Sequence, residues 1–246
     1  MEKQNQEQWW SFYLVRYAQG TVFGAIIVFF LFSQNIALKP LLFIPNYGNN
    51  FGISHLILLG IYGLAYCYIS SAPILVLHAA RALLFKEKRT NKTSKSCTVI
   101  ILITLTGVAA ILIYMVCDER IETYALFAAL LYLFIISMQF YALIKIKSNW
   151  TDIINYYNVV TKARGCNAEY VESYRHIREH ANSFMIIIFQ LALAIPIHAF
   201  TYNLHDVESI IKNIYFIFLL WVIPPACIWI FGQGLEYQLI KSKNIK

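Results

Sequence analysis

The densest cluster of side chains able to do chemistry lies between positions 172 and 182: Glu172, Arg175, His176, Arg178, Glu179, His180 and Asn182. His176 and His180 are four residues apart, so on a helix they lie one turn apart on one face and could share a metal ion. Glu172, one turn before His176, is the local candidate for a third ligand, and Glu179 could serve as the base toward a metal-bound water. The candidate catalytic residues are therefore Arg175, His176, Glu179 and His180, and the candidate metal ligands are His176, His180 and Glu172. The same pattern also suits a solvated helix face. Glu172–Arg175 at i,i+3 and Arg175–Glu179 at i,i+4 are favourable ion-pair spacings, each contributing about 0.2–0.5 kcal/mol.

A second set of polar residues interrupts otherwise apolar stretches: Arg16, Gln19, His78, Arg81, Gln139, Gln190 and His198. Ionisable groups at such positions snorkel to an interface or mark a functional path, whereas glutamines hydrogen-bond neighbouring helices. Gly20 and Gly24 form a Gly-x-x-x-Gly pair, the spacing that lets two helix backbones approach closely, within a chain or between chains. They are candidates for helix packing and oligomerisation.

The elements that must position these residues follow from composition. The chain has 246 residues, of which 59% are hydrophobic and only 13% charged, about half the roughly 25% charge of a soluble domain. With a mean hydropathy of +0.57, this excludes a disordered chain, a disulfide-stapled secreted scaffold and an ordinary soluble enzyme. The five cysteines are odd in number and form no C-x-x-C pair, so they read as small core residues. The fold class is all-α: a polytopic membrane protein in which about 20 residues form each span. Six apolar segments are expected, at about 12–32, 53–85 with a kink at Pro73, 97–116, 124–144, 183–202 and 210–231.

Of the 20 basic residues, only Lys39, Arg120 and Lys212 fall on one side of this arrangement. By the positive-inside rule both termini are inside, in the cytoplasmic membrane. The formal charge of +7 is thereby a topological signal whose natural partner is anionic lipid headgroups at the inner face, and a nucleic acid partner is not expected. The largest connection, 145–182, is expected to be a cytoplasmic helical hairpin. Trp150, Ile153, Ile154, Tyr157 and Val160 make one apolar stripe, from which Asp152, Asn155 and Lys162 fall away. A break is expected at 164–167, and the second arm should run without interruption into the fifth span.

Three resemblances attach to the 175–185 stretch. His176-x-x-Glu179-His180 resembles the H-x-x-E-H signature of inverted zinc peptidases. Arg178-x-His180-x-Asn182 resembles the start of the R-x-H-x-N-x-x-E motif of the glutathione-handling MAPEG membrane family, with Met185 in place of the final Glu. Arg175-x4-His180 resembles the Arg/His motif of HEPN ribonucleases, degenerate forms of which occur in small multi-pass membrane proteins of prokaryotic antiviral systems. That last resemblance implies kinship with membrane effectors rather than nuclease activity.

The reading that results is a non-enzymatic, oligomeric membrane module that forms a pore or perturbs the bilayer, without a cofactor, as in an antiviral effector. Two alternatives stay open. One is a membrane enzyme using the 175–182 cluster for zinc or glutathione chemistry. The other is a scaffold subunit of a larger membrane complex, with a cytoplasmic protein docked on the 145–182 hairpin.

Overall fold

A computed structural model describes the backbone of residues 2–42, 52–84, 123–166 and 168–243, and side chains over most of these. The expected third segment, 97–116, lies outside the described residues. The described residues form no strand. Their helices are α1 (Glu2–Gln34), α2 (Ile53–Ser71), α3 (Pro73–Leu84), α4 (Thr123–Ser148), α5 (Trp150–Cys166), α6 (Ala168–Thr201) and α7 (Val207–Lys243), with a 3-10 turn at Lys39–Leu42. Five stretches among them are long and apolar enough to cross a membrane: Leu14–Gln34, Ile53–Arg81, Thr123–Ser148, Asn182–Thr201 and Val207–Gln238.

The expected kink at Pro73 is a break. Helix α2 stops at Ser71 and α3 starts at Pro73, with Leu75 N–H donating to Ala72 O at 3.0 Å. Proline is favoured at a first helical position because its missing N–H is an unpaired donor site anyway. Pro196, Pro224 and Pro225, by contrast, sit inside continuous helices. Helix α6 passes from the second hairpin arm into its span without interruption, as expected. The expected break at 164–167 narrows, since α5 runs to Cys166 and α6 resumes at Ala168. Residues 145–148, assigned to the hairpin from sequence, instead form the last turn of α4.

The chain divides into two compact units. One comprises residues up to Ser71 together with Ile177–Leu219; the other comprises Ala72–His176 with Leu220–Lys246. In the first, α1 packs along α2, and the 3-10 turn packs on both helices. In the second, α3 packs on α4 and α5. Its core joins Val76, Ile146, Ile153 and Ile228, with Tyr157, Leu143 and Phe231 packed around them. Helix α5 is held there by its apolar stripe: Ile153 is buried, Trp150, Ile154, Tyr157 and Val160 are half-buried, and Asp152, Asn155 and Lys162 are exposed. The Trp150 and Phe231 rings lie 5.9 Å apart at a tilt of 60°.

Candidate functional site

The polar residues with a defined geometry gather in the first unit, where α1, α2 and α6 meet. Gln190 is fully buried on α6. Its Nε2 donates to the Gly20 carbonyl of α1 at 2.7 Å, and the Tyr66 hydroxyl of α2 donates to the Gln190 carbonyl at 2.7 Å. Three helices are thus tied through one residue. In hydrocarbon the amide has no water to turn to, so such a bond fixes helix register.

The glycines make the junction geometrically feasible. A Cβ on Gly24 would overlap the Gly63 carbonyl oxygen and come within 3.2 Å of Gln190 Nε2. A Cβ on Gly20 would overlap the Cys67 sulfur and reach Ile186 at 3.1 Å. A Cβ on Gly63 would in turn meet the Thr21 carbonyl and the Ala25 backbone. The close approach that Gly20 and Gly24 allow is therefore made within the chain, against α2 and α6.

At the far end of the same helices Asn35 forms a second tie. It is 3% exposed. Its Nδ2 donates to Thr201 O at 2.7 Å and to Leu204 O at 3.3 Å. Its Oδ1 accepts from the backbone of Ala37 at 2.9 Å and of Leu38 at 3.3 Å. One side chain thus closes the end of α1 and fastens it to the end of α6. Nearby His198 is half-buried; its ring stacks on Phe30 at 5.9 Å and lies tilted against Tyr202 at 5.1 Å. His55 is buried, and its Nδ1 accepts from Gly52 N–H at 3.0 Å, capping the start of α2. Asp206 caps α7 by accepting from Ser209 N–H at 2.8 Å and from Glu208 N–H at 3.4 Å. The Ser209 bond holds the Asp206 carboxyl below the usual carboxylate range.

Other residues singled out from sequence have separate surroundings. Arg16 is buried at 9% exposure, whereas Gln19 is exposed. Beside Arg16 in the chain, Tyr17 stacks on Tyr68 with ring centroids 4.9 Å apart. His78 and Arg81 are half-buried on α3, in the second unit. Gln139, also in the second unit, is 4% exposed, and neither amide atom has a hydrogen-bond partner among the described residues. Arg175, His176, Glu179, His180 and Glu172 lie on the backbone of α6, but their side chains fall outside the described residues. No group of three metal-ligating side chains occurs among the residues whose side chains are described.

Tyr66, Asn35 and His55 escape sequence reading. Tyr66 is one of several tyrosines in an apolar run, and its hydroxyl matters only because α6 presents a carbonyl to it. Asn35 does carry a local signal, an Asn directly after a long apolar helix, which is a favoured helix-terminating residue. Its long-range bonds to Thr201 and Leu204 do not.

No protein-family model matches the chain, and no curated protein or solved structure does. The class therefore rests on the helices themselves. Five stretches long and apolar enough to cross a bilayer place the chain among multi-pass helical membrane proteins.

Proposed function

We propose that the chain is a six-span module of the cytoplasmic membrane with both termini inside, which assembles with copies of itself and conducts or perturbs the bilayer. The observation that carries this reading is how little of each span is covered within one chain. Only 28% of the apolar window is buried in α1, in α2–α3 and in α7, 33% in α4 and 44% in α6. Large apolar side chains stand exposed along these faces, among them Val22, Phe134, Leu191, Phe216 and Trp229. Three buried polar side chains join helices to one another: Gln190 to Gly20, Tyr66 to Gln190 and Asn35 to Thr201. A module of this kind acts through its outer faces, and those faces suit lipid and neighbouring copies. The HEPN-like Arg175-x4-His180 pattern adds the role of an effector in prokaryotic antiviral defence.

The test is the native mass of the full chain in mild detergent, combined with dye release from liposomes. An oligomer that releases dye is the expected result. A monomer that leaves liposomes sealed would overturn the reading. If His180→Ala abolished an activity of a zinc-containing preparation, the enzymatic alternative on 172–182 would take its place.

A further inference from the structure

An apolar groove of about 430 Å³ runs beside the α1–α2 crossing, within the usual size range of ligand sites. Ala25 and Gly60 form its floor, while Val22, Ile26, Phe29 and Leu56 stand around it as rims. The rim residues are exposed, Val22 and Ile26 at 60% and Leu56 at 58%. Among the described residues, a Cβ on Gly60 would meet nothing within 4 Å, unlike one on Gly24 or Gly63. Gly60 is thus not required by the packing of the described residues, which leave the space above it open.

Three features identify what fits this space. The first is length. From Val22 to Phe29 is seven residues of helix, about 10 Å at 1.5 Å per residue, most of one leaflet's share of a hydrocarbon core about 30 Å thick. The second is position. The groove lies within the stretches that cross the membrane and rises toward the end where α1 stops at Gln34 and α2 starts at Ile53. The third is charge. At that end the 3-10 turn Lys39–Leu42 packs on both α1 and α2 and carries an exposed Lys39. An apolar slot about 10 Å long, with an exposed cation on the turn that packs at the same end of both helices, complements an acyl chain attached to a phosphate.

The geometry points to a bound phospholipid, one acyl chain lying in the α1–α2 groove and its phosphate pairing with Lys39. Phosphate at an interface favours a cation within reach, and the pairing is screened by salt. The site requires only α1, α2 and the turn between them, so it exists whether or not copies assemble.

The full chain, delipidated in detergent and titrated with phosphatidylglycerol, should bind one lipid per chain by native mass spectrometry. Gly60→Phe fills the groove and should weaken binding at least tenfold. Because the space over Gly60 is open, this variant should keep the helix content and elution volume of the parent. Lys39→Glu lies on an exposed turn and leaves the groove intact; it should weaken binding several-fold and abolish its salt dependence. Binding unchanged in both variants would overturn the proposal. So would a parent dimer that Gly60→Phe splits while lipid retention persists, which would assign the groove to a second copy.

Discussion

The two units solve the same problem with different chemistry. In the first, α1 and α2 approach until their backbones touch at Gly24 and Gly63, Gly20 makes room for side chains of α2 and α6, and polar side chains bond to carbonyls within reach. In the second, bulk fills the space: Val76, Ile146, Ile153 and Ile228 interlock, and Tyr132 stacks on the fully buried Trp221 with centroids 6.0 Å apart. Each unit also buries a glutamine. Gln190 gives its Nε2 to the Gly20 carbonyl at 2.7 Å and only its Oε1 has no partner among the described residues, whereas Gln139 has none there for either amide atom. The difference teaches that a polar residue in a span is a fastener only where small residues let a carbonyl come near. Among bulky side chains the same residue finds no carbonyl among the described residues.

Breaking the backbone contact should have the largest effect. Gly24→Leu must displace both the Gly63 carbonyl and the Gln190 amide, an overpacking that costs about 3 kcal/mol or more. Gly232→Leu in α7, where a Cβ meets nothing within 4 Å among the described residues, should be close to neutral. Denaturant unfolding of both variants in micelles measures the contrast, and equal costs would remove the distinction between the units' packing.

Smaller, but opposite in sign, are the glutamine replacements. Gln190→Leu loses the bond to Gly20 and should destabilise by about 1 kcal/mol. Gln139→Leu removes a buried amide that has no partner among the described residues and should stabilise by about 1 kcal/mol. The same unfolding experiment reads both, and a destabilised Gln139→Leu would show that the second unit also uses its glutamine as a tie.

The smallest effect concerns the exposed cap of α7. Asp206 has a folded pKa below its ordinary value, so its contribution is present above the unfolded carboxylate pKa of about 3.9. That contribution is lost as pH falls through the lower, folded value. Asp206→Ala should flatten this part of the stability profile below about pH 4 and leave the shape of the profile near pH 7 unchanged. A profile identical to the parent's in the acid limb would mean that the cap contributes nothing.

Much of the helical layout was legible in the residues. The apolar stripe Trp150–Ile153–Ile154–Tyr157–Val160 lands against the second unit's core because a 3.6-residue period and a buried face are one fact stated twice. The interruption at Pro73 was legible because proline lacks the N–H a continuing helix needs. Gly20 and Gly24 announced a close contact, yet they could not say which helix would use it, since glycine carries no side chain to recognise a partner. The 172–182 cluster offered patterns in plenty, but a pattern acquires chemistry only through the positions of its side chains.

By itself, then, the sequence determined that this chain is built of membrane-spanning helices, that one is interrupted at Pro73, and which face of α5 is apolar. These are local consequences of hydropathy and backbone chemistry. Only the tertiary structure decided that Gly24 meets Gly63, that Gln190 reaches Gly20, that Asn35 reaches Thr201, and that Gly60 opens onto a groove. In the lipid interior apolar surface is already solvated, so hydrophobicity alone does not choose which helices pair. The choice falls to shape and to single hydrogen bonds across 124 to 170 positions of sequence.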